Sequence, residues 1–257
     1  MTAPHGDLPS GELTIEGQIT TASNATFAGH ISGVKVVYKP VVGERPLWDF
    51  PDGTLARREV AAYVLSEAFG WNLVPPTWLR DGPLGHGMVQ LWRDPDPARP
   101  ALAVVAADDL PAEGWCHVVD GLDARGRPVS LIHEDSPVLR QMAVFDVVTN
   151  NADRKGGHVL EMADGHRHGI DHGLTFHTEH KLRTVLWGWL DQDLSPDELA
   201  GVERVLCALT GALGNTLVDL LAGDEIAALV ARCERLLANA RFPAPQGEMP
   251  AIPWPPF

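Results

Sequence analysis

The stretch Asn151-Ala152-Asp153-Arg154-Lys155-Gly156-Gly157-His158, followed by Gly169-Ile170-Asp171-His172-Gly173-Leu174-Thr175-Phe176 and running on to Trp187-Gly188-Trp189, decides how this chain is read. Its two carboxylates, Asp153 and Asp171, follow a predicted helix and bracket a predicted hairpin. The helix opens at Ser136-Pro137, an N-cap with proline at the first helical position, and runs through Val148. The hairpin is marked by Asp164-Gly165, lying between Val159–Met162 and Arg167–Ile170. This layout suits phosphoryl transfer. One acid orients and deprotonates an attacking hydroxyl, and the other holds the metal on the nucleotide phosphates.

Upstream, the pattern is that of antiparallel strands. Leu13 and Ile15 alternate with polar neighbours, Ala25 to Ile31 forms a second run, and Val34 to Lys39 a third, entered by the tight connection Ser32-Gly33. A turn of small polar residues, Thr20 to Phe27, separates the first two. Helical spacing follows in Leu55–Phe69, with Thr54 as N-cap and Ala56, Val60 and Ala68 on one face. Gly70 and Pro75-Pro76 end it, and an apolar stretch runs from Gly87 to Trp92. Arg93 to Pro100, with three prolines, reads as a hinge or surface loop, and beyond it the character turns helical. Ser195-Pro196-Asp197-Glu198 is a capping box opening a helix of Leu199, Val202, Leu206 and Leu209, and a further helix is expected from near Glu225 to Ala238. Phe242–Phe257 carries six prolines and either lies extended against the body or is disordered. The expected architecture is α+β and two-lobed: a strand-rich lobe over 1–92, a larger helical lobe over 93–241, and a proline-rich tail over 242–257.

Composition narrows the class. The 257 residues suffice for a sizeable core, and 45% hydrophobic with 21% charged residues is ordinary for a globular protein. Twenty basic against 34 acidic residues give a net charge of −14, which opposes nucleic acid and anionic membrane surfaces. No apolar run approaches the roughly 20 residues of a membrane span, and Met1–Ser10 lacks the regions of a signal peptide, so no stable membrane insertion and a cytoplasmic location are expected. Cys116, Cys207 and Cys233 lack metal-ligand spacing and read as reduced core thiols.

Five features occur in a fixed order: the small-residue loop, Tyr38-Lys39-Pro40, Arg58-Glu59, Val89-Gln90-Leu91, and the pair Asn151-x-Asp153-Arg154 and Ile170-Asp171-x-Gly173-Leu174. This order resembles the phosphatidylinositol 3- and 4-kinase superfamily. It is most similar to the type II phosphatidylinositol 4-kinases and to a group of small actinobacterial proteins distantly similar to them. The resemblance covers residues 20–200.

It implies a two-lobed kinase-like fold that binds ATP with Mg²⁺ or Mn²⁺ and transfers the γ-phosphate to a hydroxyl acceptor on a lipid, a protein or a small polyol. Lys39 would neutralise the α- and β-phosphates, with Glu59 as its ionic partner and Val37 on the same strand face. Ser23, Asn24 and Thr26 would cover the phosphates, and Gln90, Leu91 and Trp92 would form the hinge that reads the adenine edge. Asp153 is the candidate base, Arg154 supports the loop or the transferred phosphate, and Asp171 is the principal metal ligand. His158 departs from the pattern, since related kinases place asparagine there as second metal ligand. Imidazole is softer and favours manganese or other transition ions. That departure raises the alternative of a nucleotide-binding pseudokinase with a regulatory role.

The segment Phe176–Leu190 is the expected activation or substrate loop, with Lys181, Arg183, Trp187 and Trp189. Trp187 and Trp189 could touch a bilayer or pack in the core, the commoner state for tryptophan at this spacing. The histidines at 158, 166, 168, 172, 177 and 180 offer a zinc hydrolase as a competing reading, but no His-Glu-x-x-His spacing occurs, and the hairpin is expected to hold His166 and His168 near a solvent turn.

Overall fold

Three antiparallel strands, β1 (Leu13–Gln18), β2 (Phe27–Ile31) and β3 (Val34–Pro40), follow one another in the chain. Strand period sends Val36 and Tyr38 to one face, where both are buried with Leu13, Ile31 and Val89. It sends Lys35, Val37 and Lys39 to the other. The computed structural model describes residues 8–257 except Thr21, Asp52 and Glu248. Most of the stretch read for a leader, and Thr21 of the small-residue loop, lie outside the described residues.

A helix, α1 (Leu55–Phe69), leads to β4 (Thr77–Gly82) and β5 (Gly85–Leu91), which complete a five-stranded sheet in the order β1-β2-β3-β5-β4. Lys39 stands opposite Met88 in the β3–β5 register, and Met88 packs on Ala56 and Val60 of α1. The lysine therefore shares a sheet face with the helix that carries Glu59. Thr54 occupies the N-cap position, but its hydroxyl accepts from Arg58 Nε at 3.3 Å and caps no helix amide. Glu44 caps instead, its carboxylate accepting from the Leu55 amide (3.1 Å) and the Ala56 amide (2.8 Å). Gly70 closes the helix in the left-handed region at φ 72°.

The second lobe departs from the helical expectation at its start. Three strands, β6 (Leu102–Ala106), β7 (Trp115–Leu122) and β8 (Pro128–Glu134), form an antiparallel sheet in the order β6-β8-β7. Their outer faces are open, with Val104, Val119 and Leu122 exposed, and a register shift between His117 and Val119 breaks the alternation. The remainder is α2 (Pro137–Thr149), the hairpin β9 (Val159–Glu161) and β10 (Arg167–Gly169), then α3 (Pro196–Leu209), the short α4 (Ala212–Leu217) and α5 (Gly223–Asn239). Ser136 caps α2, and the Ser195–Glu198 capping box is formed on both sides. Phe145, Leu139, Val202, Leu229, Trp189 and Phe242 belong to one core that also takes in Leu65 and Phe69 of α1.

The whole is a two-lobed α+β architecture, with the strand-rich sheet and α1 above a larger, mainly helical lobe. Arg58 of α1 ties the two together. Its guanidinium donates to the Thr175 carbonyl and pairs with Glu225 of α5, almost fully out of solvent. Among the described residues no helix is long and apolar enough to cross a membrane. Of the three thiols, Cys233 is buried and Cys116 partly so, but Cys207 is exposed, so it is not the core thiol expected.

Candidate active site

A cleft of about 700 Å³ opens between the lobes. From above it is lined by Ser23, Thr26, Val37, Lys39 and Gln90 to Trp92, and from below by Asp153, Lys155, His158, Ile170 and Asp171. Residues far apart in sequence meet here because β3 carries Lys39 on its cleft face while the loops flanking the β9–β10 hairpin carry the acids.

Lys39 is the centre of the charge arrangement. Its Nζ lies 2.6 Å from Glu59 Oε1 and 2.8 Å from Asp171 Oδ1. Burial alone would lower the pKa of this ammonium, but Asp171 and Glu59 outweigh it and raise the value, so the lysine stays charged. The Lys39 ammonium in turn holds the Asp171 carboxyl well below the usual carboxylate range. Glu59 is fixed from a second side by the His172 amide, which donates to Oε2 at 2.9 Å. Asp171 sits in the left-handed region at φ 61°, a conformation that aspartate tolerates better than most residues.

Below Lys39, His158 faces Asp171. Its Nδ1 lies 2.9 Å from the Asp153 carbonyl, an acceptor only, so Nδ1 carries the proton and Nε2 the lone pair. That Nε2 is 3.5 Å from Asp171 Oδ2. Burial lowers the His158 pKa, against the pull of Asp171. A neutral imidazole lone pair and a carboxylate oxygen thus face each other across a gap that a cation satisfies. Among the described residues no group of three or more histidine, cysteine or acidic side chains gathers as a metal cage. A metal here would complete its shell with phosphate oxygens or water.

Asp153 lines the cleft beside Lys155, whose Nζ is 3.1 Å from Asp153 Oδ2. Its amide donates to Asn151 Oδ1 at 3.0 Å, so Asn151 supports the loop. Arg154 does not reach the cleft. The side chain is fully buried, bonds both oxygens of Asp146 on α2, and donates to the carbonyls of His158 and Ile170 and to His172 Nε2. Of the two expected roles it fills only loop support, because a guanidinium enclosed by acceptors has nothing left for a phosphate. Lys155, directly after Arg154 in sequence, is a cationic side chain that the lower wall of the cleft does present.

Two other expectations need correction. Asn24 turns from the cleft, its Oδ1 accepting from the Arg45 amide at 2.9 Å, while Ser23 and Thr26 line it. In the expected hinge, the Leu91 amide donates to the Pro76 carbonyl and the Trp92 amide to the Lys35 carbonyl. Neither amide is free to read a base edge. Gln90 is buried and its Nε2 donates to Thr77 Oγ1 at 2.8 Å. Trp92 instead offers a ring, over which Lys35 Nζ sits at 3.8 Å.

The histidines disperse. His166 bonds the Asn72 carbonyl, and His168 is buried rather than held at a solvent turn. His177 bonds the Asp49 carbonyl and His180 is exposed. Trp187 and Trp189 are both buried and cannot meet a bilayer. Residues 250–257 lie against the lower lobe, and Pro255 and Phe257 enter the cleft wall near Asp153. Sequence gave no signal for that contact beyond the proline content.

No family model matches the chain. Protein Rv2133c of Mycobacterium tuberculosis (strain ATCC 25618 / H37Rv) is 48% identical over 266 residues, which cover 98% of this chain and 95% of that relative. Among solved structures, the crystal structure of the Helicobacter pylori proinflammatory kinase CtkA superposes with a TM-score of 0.50 at 12% identity, over 91% of this chain and 94% of that one. At that identity the likeness speaks for the fold alone. The extent of the first match and the shape of the second lead to one statement: the chain belongs to the family of mycobacterial Rv2133c and has a two-lobed, kinase-like fold.

Proposed function

We propose that this protein is an ATP-dependent phosphotransferase acting on a hydroxyl acceptor. The observation that carries the reading is the Lys39 ammonium held between Glu59 and Asp171, in a cleft whose opposite wall presents Asp153. An ammonium fixed in this way is placed to take up the phosphate charge of a nucleotide without reorganising. Asp153, partly solvent-accessible and steadied by Lys155, orients the acceptor hydroxyl and takes its proton. Asp171 Oδ2 and His158 Nε2 are the protein groups that would hold Mg²⁺ or Mn²⁺, which supplies charge neutralisation on the phosphates. Thr26 and Ser23 border the phosphate end of the cleft, and Val37 with the Trp92 ring borders the base end.

The resemblance to phosphatidylinositol kinases makes a lipid hydroxyl one acceptor class, with a protein or a polyol as the others. The test is transfer of labelled γ-phosphate, in magnesium and in manganese, to fractionated lysate and lipid extract, beside an Asp171→Ala control. Label confined to one fraction and lost in the variant names the acceptor class. A second reading, a nucleotide-binding module without catalysis, is favoured by His158 in place of asparagine. Intact ATP binding with no transfer in either metal would select it.

A further inference from the structure

Residues 250–257, for which the sequence leaves packing against the body and disorder both open, are seated in a groove of defined chemistry. Every bond that holds them runs the same way. The Thr184 amide and the Trp187 Nε1 each donate to the Ala251 carbonyl at 3.0 Å, Arg183 Nε to the Pro250 carbonyl at 3.1 Å, and the Gly156 amide to the Pro256 carbonyl at 2.7 Å. The groove supplies donors, and the segment supplies only main-chain carbonyls. Four of the eight residues are proline, which brings no N–H to be left unsatisfied.

The side chains divide: Ile252 packs against the main core and Pro253 is buried, whereas the two aromatic residues are exposed. Trp254 is 84% exposed and Phe257 49%. Phe257 nonetheless has a defined seat: its ring lies where a Cβ on Gly156 would be, and with Pro255 it walls the cleft beside Asp153 and Lys155. A segment held by a few hydrogen bonds and two small apolar contacts, with its largest side chain in solvent, has less to hold it than a core element has.

We infer that the groove formed by residues 154–157 and 183–187 is a binding site for a proline-containing polypeptide that offers main-chain carbonyls, which residues 250–257 fill in cis, closing one side of the cleft until a competing polypeptide displaces them. That this is the acceptor side rests on the phosphotransferase reading; the groove and its ligand chemistry do not.

The experiment uses the full chain, with hydrogen exchange at the Gly156 and Thr184 amides as readout. Phe257→Gly removes the seated ring, and exchange at both amides should rise by about tenfold or more. A synthetic peptide of the native sequence Met249–Phe257, added in trans, should restore slow exchange saturably. Gly156→Ala, at a position where the backbone accepts alanine, attacks the seat from the other side. It should release the segment equally, and the peptide should fail to rescue it. Unchanged exchange in Phe257→Gly, or no rescue by the peptide at millimolar concentration, overturns the inference. Should Phe257→Gly not fold, Gly156→Ala decides by the same exchange measurement. Failure of both to fold also overturns it, since the segment would then be core rather than a displaceable occupant. ATP binding measured on each variant separates the two readings: its absence in the wild type removes the phosphotransferase proposal and leaves the groove result standing.

Discussion

Asp146 and Arg154 form an ion pair from which solvent is wholly excluded, both side chains having 0% exposure, with Nη2 and Oδ1 2.9 Å apart. Asn151 and Thr184 add bonds to the same carboxylate. The loop that carries Asp153 is thereby fastened to α2 on one side and to the 183–185 segment on the other. Asp146→Ala leaves a buried guanidinium without its counter-charge, and the expected cost is about 3–5 kcal/mol. Denaturant titration checks this. A loss below about 1 kcal/mol would show that the carbonyls of His158 and Ile170 alone satisfy Arg154.

Lys39→Met should preserve the fold and weaken nucleotide binding. One charge-assisted contact contributes about 1.5–3 kcal/mol, which corresponds to an affinity loss of about tenfold to a hundredfold. Equilibrium binding of a fluorescent ATP analogue measures it. Equal affinity in wild type and variant would remove Lys39 from the site.

His158→Asn replaces a soft nitrogen donor by a hard amide oxygen. The ratio of activity in manganese to that in magnesium should fall by about an order of magnitude. Transfer assays in each metal supply the ratio, and a ratio that stays constant would mean His158 is not a ligand.

Burial lowers the pKa of His168 to about 4, against an ordinary value of 6.5. With a depressed histidine the unfolded chain takes up the proton first. Stability is therefore intact above pH 6.5 and is lost as pH falls from 6.5 towards 4, by about 3 kcal/mol in total. His168→Gln should flatten the dependence of the denaturation midpoint on pH across that window. An unchanged slope would assign the acid loss to other groups.

What could be read in the sequence and what could not divide along physical lines. Lys39, Glu59 and Asp171 were singled out by the order of the motifs, since strand alternation, helical spacing and a glycine-bounded turn place each residue in an element but do not join the three. Ser136 and Ser195 were legible as caps from local signal alone. Asp146 was not, because a lone carboxylate on a helix says nothing until Arg154 folds back onto it. The β6–β8 sheet was hidden by its open outer face, where Val104 and Leu122 stand in solvent and imitate irregular surface. Which of its two expected roles Arg154 fills could not be read without knowing how many acceptors surround it. That the Leu91 and Trp92 amides are taken up by the Pro76 and Lys35 carbonyls was not legible, because pairing is a property of the sheet, not of three residues.

The contact between Arg58 and Glu225 has a further consequence. Glu225 is also the residue whose Oε2 accepts from the Ala222 amide at the start of α5, so one carboxylate serves both the lobe junction and the beginning of the last helix. Opening the cleft by drawing α1 away would strip that carboxylate of its cation and loosen the first turn of α5 in the same motion. Any such motion of α1 is thereby coupled to fraying of a helix whose C-terminal half is remote from the cleft.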